Sequence, residues 1–252
     1  MISKKIFLFI LPLIFTYHLT KAQTSKTETN SFAVVELFTS EGCNTCPSAE
    51  KLLSELIYDS RENKKPIYAM EFHVDIWNRL GWKDPFSKFQ FTYRQKNYTD
   101  ALGEMEVYTP QVFVNGNKPF TGSDKKRLLS EIDKELKTPA GITLKLSKNI
   151  LSTRDTLLID YESSKTDKNM NIYVVLVQRG LVSKIGKGEN SGKTLSHDNV
   201  VRVLENTPLL SQKGNIKIPV TKFKLNASFS IYGFVQQKLN KKILAATGFN
   251  LQ

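Results

Sequence analysis

Cys43 and Cys46 are the only cysteines among 252 residues, and they stand between two segments of different period. Before them, Ala33-Val34-Val35-Glu36-Leu37-Phe38 reads as a buried strand, rich in β-formers. After them Pro47 opens a helix, in which Ala49, Leu52, Leu53, Leu56 and Ile57 recur at helical spacing and make one apolar face. Proline suits that first turn because its missing N–H would have had no intrahelical partner. A Cys-x-x-Cys pair at a strand-to-helix junction has what thiol–disulfide exchange needs. The first sulfur sits at the helix N-terminus, where free N–H groups and the macrodipole favour an anion. The second lies in the first turn, close enough to attack a mixed disulfide. Cys43 is the expected nucleophile and Cys46 the resolving thiol, with no metal or organic cofactor required.

The helix is followed by a second strand from Ile67 to Val74, an aromatic segment from Trp77 to Pro85, and a helix from Ser87 to Leu102 that stops near Gly103. Gln111–Asn115 is a third strand, Gly116-Asn117 a turn, and Lys118–Thr121 a short antiparallel return. Ser123 is placed to cap a last helix with Leu128, Leu129, Ile132 and Leu136 on its apolar stripe. Crossover helices imply parallel strands and the short turn implies a hairpin, so this part is a mixed sheet with helices on both faces. Thr138-Pro139-Ala140-Gly141 marks a boundary, beyond which the apolar period becomes two, as in Ile142, Leu144, Leu146 and Phe229, Ile231, Gly233, Val235. Further strands are expected at 155–161, 171–179, 198–205, 214–220 and 242–249, an all-β sandwich domain of immunoglobulin-like character. The organisation is therefore residues 1–22, 31–138 and 141–252.

Residues 1–22 read as a secretory signal peptide: Lys4 and Lys5, an apolar run from Ile6 to Phe15, and a small residue, Ala22, at the cut. That run is too short to cross a bilayer, which takes roughly 20 residues. The mature chain is expected to be exported, periplasmic or secreted, with no membrane span, in an environment where the cysteine pair can close into a disulfide. The formal charge is +12, and removing the three lysines of residues 1–22, which hold no acid, leaves +9. Its basic residues lie in small scattered groups with no recognition motif, which argues against nucleic acid as a partner. Exported protein thiols or small-molecule thiols and disulfides are the expected partners.

The strand–Cys43-Asn44-Thr45-Cys46–helix arrangement, followed by Thr109-Pro110 directly before a strand, resembles the thioredoxin superfamily. That resemblance implies a thioredoxin-like first domain, a cis Pro110 beside the cysteines, and a Thr109 backbone free to pair with a bound chain. Val35-Glu36-Leu37-Phe38-Thr39-Ser40-Glu41-Gly42-Cys43, Phe72-His73-Val74-Asp75-x-Trp77, Leu80-Gly81-Trp82-Lys83-Asp84-Pro85-Phe86 and Tyr108-Thr109-Pro110-Gln111 resemble an exported bacterial family catalogued as domain of unknown function 1223. Gly188-Glu189-Asn190, Lys193-Thr194-Leu195 and His197-x-Asn199-Val200-Val201-Arg202 extend the resemblance into the second half.

Supporting roles fall to several residues. The resemblance implies that Glu36 is a buried acid beneath the pair, exchanging protons with Cys46, although its offset from Cys43 is one residue longer than in thioredoxins. A strand-end salt bridge is the other reading. Glu41 opposes thiolate formation unless its charge is neutralised. His73 and Asp75 follow the second strand, so they approach the sheet end that carries Cys43. There His73 can polarise a thiol, while Trp77 and Trp82 offer an apolar platform; a loop held by aromatic packing is the plainer reading. Lys187–Thr194 lacks the first glycine of a phosphate loop and is expected instead to lean over the pair as a lid.

Three alternatives compete for the cysteines. A structural disulfide would make the chain a non-catalytic binding module. A zinc site could combine Cys43 and Cys46 with His73 and His197, although His197 belongs to the other half of the chain. A decayed site would keep the fold without the exchange.

Overall fold

Alternation along β1 (Ala33–Thr39) sorts its side chains between two cores. Ala33, Val35 and Leu37 face α1 (Cys46–Glu62), whereas Val34 and Phe38 face the opposite side. The computed structural model describes residues 31–251, so the signal-peptide reading of residues 1–22 lies outside the described residues. β2 (Ile67–His73) runs parallel to β1 in a register that sets Ala33 beside Ile67 and Thr39 beside His73. α2 (Phe89–Leu102) lies on the second face, burying Phe91 and Tyr98, and ends at Gly103 in the left-handed conformation. β3 (Gln111–Val114) returns antiparallel beside β1, β4 (Phe120–Thr121) pairs with β3, and α3 (Lys125–Leu136) joins α1 on its face through Leu128 and Ile132. The first half is thus a mixed sheet with helices on both faces. Its last helix is capped by Asp124 and not Ser123: the Asp124 carboxylate accepts from the Arg127 N–H at 3.0 Å.

The second half contributes, among the described residues, nine strands. They are β5 (Leu144–Lys148), β6 (Thr156–Ser163), β7 (Asp167–Gln178), β8 (Leu181–Lys184), β9 (Thr194–His197), β10 (Val200–Leu209), β11 (Lys213–Pro219), β12 (Phe229–Gln237) and β13 (Ile243–Asn250). β11-β6-β5 form a three-stranded sheet whose Leu157, Ile159 and Ile218 pack against Val174, Leu176 and Ile231 of β7 and β12. The sheet does not set apart the all-β domain expected over residues 141–252: β13, β12, β7 and β10 continue directly into β2, β1, β3 and β4 as one eight-stranded mixed sheet. Periodicity reports which face of a strand is buried and carries no record of which strand lies beside it. β8 and β9, a ribbon outside both larger sheets, had no expected counterpart.

Two joints fasten the halves together, the first of which carries the sheet across. At the first, Val200 of β10 pairs parallel with Glu71 of β2, and the Glu71 N–H donates to the Asn199 carbonyl at 3.1 Å. Asn199, buried and at φ 50°, donates its side-chain amide to the Ala69 carbonyl at 2.8 Å and to the Tyr232 hydroxyl at 2.9 Å. At the second, the Ile243 N–H donates to the Asn115 carbonyl at 3.0 Å. There Gly116, at φ +72°, lies so close to the second half that a Cβ would come 2.0 Å from the Lys241 carbonyl oxygen. Gly116→Ala therefore has to push the joint apart, and a loss of about 1–3 kcal/mol is expected. Urea denaturation checks it; an unchanged midpoint would show that the joint yields freely. Among the described residues no helix is long and apolar enough to cross a membrane.

Candidate functional site

The cysteines form a disulfide at the first turn of α1, with Cα atoms 5.4 Å apart and Thr45 as N-cap. Both are covered: Cys43 is 1% exposed and Cys46 fully buried, although Asn44 and Thr45 between them are exposed. The tip of the β8–β9 ribbon is fastened to the backbone of the cysteine loop. Asn190, itself buried, donates its side-chain amide to the carbonyls of Glu41 and Cys43, each at 2.9 Å. Glu189 accepts from the Asn44 N–H at 3.3 Å, and Lys193 Nζ donates to the side-chain amide oxygen of Asn190 at 2.9 Å. Gly186 and Gly188 lie against Trp82, where a Cβ on either would come within 3.4 Å of that side chain. The glycine-rich loop thus lies against the cysteine loop and Trp82.

Thr109-Pro110 is cis. Trp77 ties it to the cysteine loop: its indole N–H donates to the Thr109 hydroxyl at 2.7 Å, and its Cβ crowds Gly42 so closely that any side chain there would meet it at 2.8 Å. Cys43, Cys46, Trp77, Thr109 and Pro110 therefore share one corner of the molecule.

Glu36 does not join them. It points to the α2 side of the sheet, where Arg94 donates Nε–H at 2.8 Å and Nη2–H at 2.7 Å, and the Tyr98 hydroxyl also donates. The reason is the strand period of two: an offset from the cysteines one residue longer than usual places the side chain on the opposite face. Asp75 is likewise diverted, its carboxylate accepting from Thr92 of α2 at 2.5 Å.

His73 leads to a different group. On β2, Ile67 and Ala69 join the α1-side core, and Glu71 and His73 continue the same alternation, so the strand's inner face turns from apolar to ionisable at its carboxyl end. His197, the last residue of β9, meets them with its ring centroid 4.9 Å from that of His73. Glu50, one turn into α1, completes the cluster. His73 Nδ1 lies 2.7 Å from Asp84, and His197 Nε2 lies 3.2 Å from Glu41. Glu41 also accepts from the Trp82 indole at 2.7 Å, and Glu50 accepts from the Thr39 hydroxyl at 2.5 Å. Glu71 has no hydrogen-bond donor on either side-chain oxygen, and all six ionisable groups are buried.

The charges follow from these contacts. Burial pulls His73 down, but the Asp84 carboxylate and its hydrogen bond outweigh it and hold His73 well above the usual histidine range. Burial also lowers His197, and its contacts with Glu41 and Glu50 overcome that and raise it to about 9. Asp84, pushed up by burial, is brought below its ordinary value by His73 and by the Glu41 and Phe86 N–H groups. Burial leaves the Glu71 carboxyl raised to about 7, against the pull of the histidines. Glu41, adverse to a thiolate when considered alone, lies 3.2 Å from His197 Nε2.

Glu50, Glu71, Asp84 and Asn190 were missed as site residues. Glu71 and Glu50 could have been suspected, because each is an acid on an otherwise apolar buried surface, one in a strand and one on the apolar stripe of α1. Asp84 and Asn190 sit in loops and carry no such sign. The zinc arrangement of two cysteines and two histidines is not what forms: the sulfurs are bonded to one another, while the histidines, from different halves, meet each other and the carboxylates.

Residues 34–236 match the family model described as Protein of unknown function (DUF1223). The fold is similar to a crystal structure of a protein from Agrobacterium tumefaciens, with TM-score 0.65 and 24% identity over 86% of this chain and 93% of that one. A domain of the outer membrane lipoprotein Omp28 from Porphyromonas gingivalis overlaps 45% of this chain and 97% of its own at TM-score 0.25 and 12% identity, too remote to carry an argument. None of the curated proteins matches the chain.

Proposed function

The chain belongs to the family described as Protein of unknown function (DUF1223), and from that premise we propose that it is an exported thiol–disulfide oxidoreductase acting through Cys43 and Cys46 in a thioredoxin-like half. The observation that carries this reading is the seat of the pair. A disulfide closes over the N-terminus of α1, and the cis Thr109-Pro110 loop is fastened to the same corner by Trp77. In the oxidised form, a partner thiolate attacks Cys43 Sγ, the Cys43–Cys46 bond breaks, and its electron pair leaves on Cys46 Sγ. A second partner thiolate then attacks the partner sulfur bonded to Cys43 and expels the Cys43 thiolate. The partner departs with a disulfide, and the pair has gained two electrons. Run backward, the same steps reduce a partner disulfide, with Cys46 resolving the intermediate. The helix N-terminus favours the thiolate in both directions.

Covered sulfurs cannot exchange, so the lid must lift for turnover. It is the tip of a two-stranded ribbon, an element of marginal stability by itself, held down by hydrogen bonds that Asn190 donates and one that Glu189 accepts. Exported proteins or small thiols are the proposed partners. Insulin reduction and oxidative refolding of a reduced substrate test the reading. Cys43→Ser is expected to abolish both, and Cys46→Ser to accumulate a mixed disulfide with the partner. Absence of exchange together with absence of any trapped species would sink it.

The burial of both sulfurs favours a second reading, a structural disulfide in a binding module. Loop entropy values so short a bridge at only about 2 kcal/mol. On that reading mild reductant leaves the bond intact, and removing it lowers the melting temperature without affecting any exchange assay.

A further inference from the structure

The buried cluster beneath α1 has donors arranged for a metal ion, and we propose that His73, His197, Glu50 and Glu71 bind one divalent transition-metal cation, with zinc the best fit. The inward-facing atoms carry the argument. His73 Nε2, His197 Nδ1 and both Glu71 carboxylate oxygens are fully buried and have no hydrogen-bond partner. Leaving such groups unpaired costs about 1–3 kcal/mol each, and more for charged ones.

Their spacing is that of ligands rather than of hydrogen-bonded pairs. His197 Nδ1 lies 3.3 Å from Glu50 Oε2 and 3.7 Å from Glu71 Oε2, and His73 Nε2 lies 3.5 Å from Glu71 Oε2. Two donors each about 2.0–2.1 Å from a tetrahedral ion stand about 3.3 Å apart. A hydrogen bond would draw them to about 2.7–3.2 Å. One donor atom from each of Glu50, His73 and His197 lies within 4.8 Å of the others.

The outward-facing atoms are engaged as a metal site requires. Asp84 holds His73 by Nδ1 at 2.7 Å, and Glu41 holds His197 by Nε2 at 3.2 Å. A carboxylate on the far nitrogen orients the ring and fixes the tautomer that presents a lone pair to the ion. Thr39 plays the same part for Glu50 by donating to Oε1, so that Oε2 faces inward. Within the ligand set, two carboxylates balance one divalent cation, and two imidazoles with two carboxylates suit zinc better than the hard, all-oxygen cations. This site uses neither sulfur, so it stands or falls separately from the thiol chemistry above.

The mature chain, disulfide intact and without reductant, is to be stripped with a chelator, dialysed against micromolar Zn²⁺ or Co²⁺, and assayed for bound metal by mass spectrometry. About one ion per chain is expected, with a rise in melting temperature. Glu71→Gln, which keeps the shape and removes the charge, should weaken binding at least tenfold. Asp84→Asn, which acts through His73, should weaken it about 10–100-fold. X-ray absorption on the loaded wild-type protein should find imidazole nitrogens and carboxylate oxygens without sulfur, a readout that holds even where a variant fails to fold. Folded wild-type protein that retains no metal, a loaded spectrum lacking imidazole, or undiminished binding by folded Glu71→Gln would each overturn the proposal.

Discussion

Asn190→Ala is expected to speed reduction of the Cys43–Cys46 disulfide by a small thiol by about 30-fold. The Asn190 amide makes two hydrogen bonds to buried carbonyls, those of Glu41 and Cys43, and both are lost when the side chain is truncated. At about 1 kcal/mol net for each, the closed lid loses about 2 kcal/mol. Since about 1.4 kcal/mol is a factor of ten, the open fraction rises about 30-fold. If the bond is reduced only through that open fraction, the rate follows it. Ser191→Ala is the control, because its hydroxyl reaches only the Gly186 carbonyl at 3.3 Å within the lid itself. Dithiothreitol kinetics followed by thiol labelling provide the measurement. Equal rates in the two variants would mean that the ribbon tip does not govern access to the pair.

Arg94→Met should destabilise the fold by about 3–5 kcal/mol, the cost of stranding a buried charge. Glu36 is fully buried in the sheet interior, and Arg94 is its cationic partner. The same guanidinium lies 4.8 Å from the Tyr173 ring centroid and 5.4 Å from that of Phe234, and it donates to Gln236 at 3.3 Å. These last three residues belong to β7 and β12, so the side chain also clasps the two halves together. Replacing both partners, Glu36→Leu with Arg94→Met, removes the stranded charge and is expected to recover part of the loss. Urea denaturation gives both values. Tryptophan fluorescence, which reports only Trp77 and Trp82 in the first half, should move with the far-ultraviolet signal of the whole β structure, because the sheet is shared. A double variant as unstable as the single one would show that packing, and not charge, is what Arg94 contributes.

Much of this molecule is legible without coordinates. The apolar run before Cys43 and the helical stripe after Pro47 place the pair at a strand-to-helix junction, and the Thr109-Pro110 peptide is cis as expected. The glycine-rich loop ahead of His197 was expected to lean over the pair, and its Asn190 reaches the backbone there. Glu36 misled for a reason internal to strands: a residue's side of the sheet reverses with every step, so an offset longer by one sends it to the wrong core. His197 counted against the zinc alternative because it belongs to the other half of the chain, yet the β8–β9 ribbon brings it to His73.

The order of residues by itself determined the local elements: where the chain is strand or helix, which stripe is buried, and that two sulfurs sit at a helix tip. These depend on side-chain period and on interactions between near neighbours. The tertiary structure alone decided that the halves share one sheet, that Asn190 closes over Cys43, and that two histidines and two glutamates converge beneath α1. Those outcomes depend on which strand edge pairs with which and on how a ribbon folds back. Such pairings are made between segments distant in the chain, and side-chain periodicity contains no term for them.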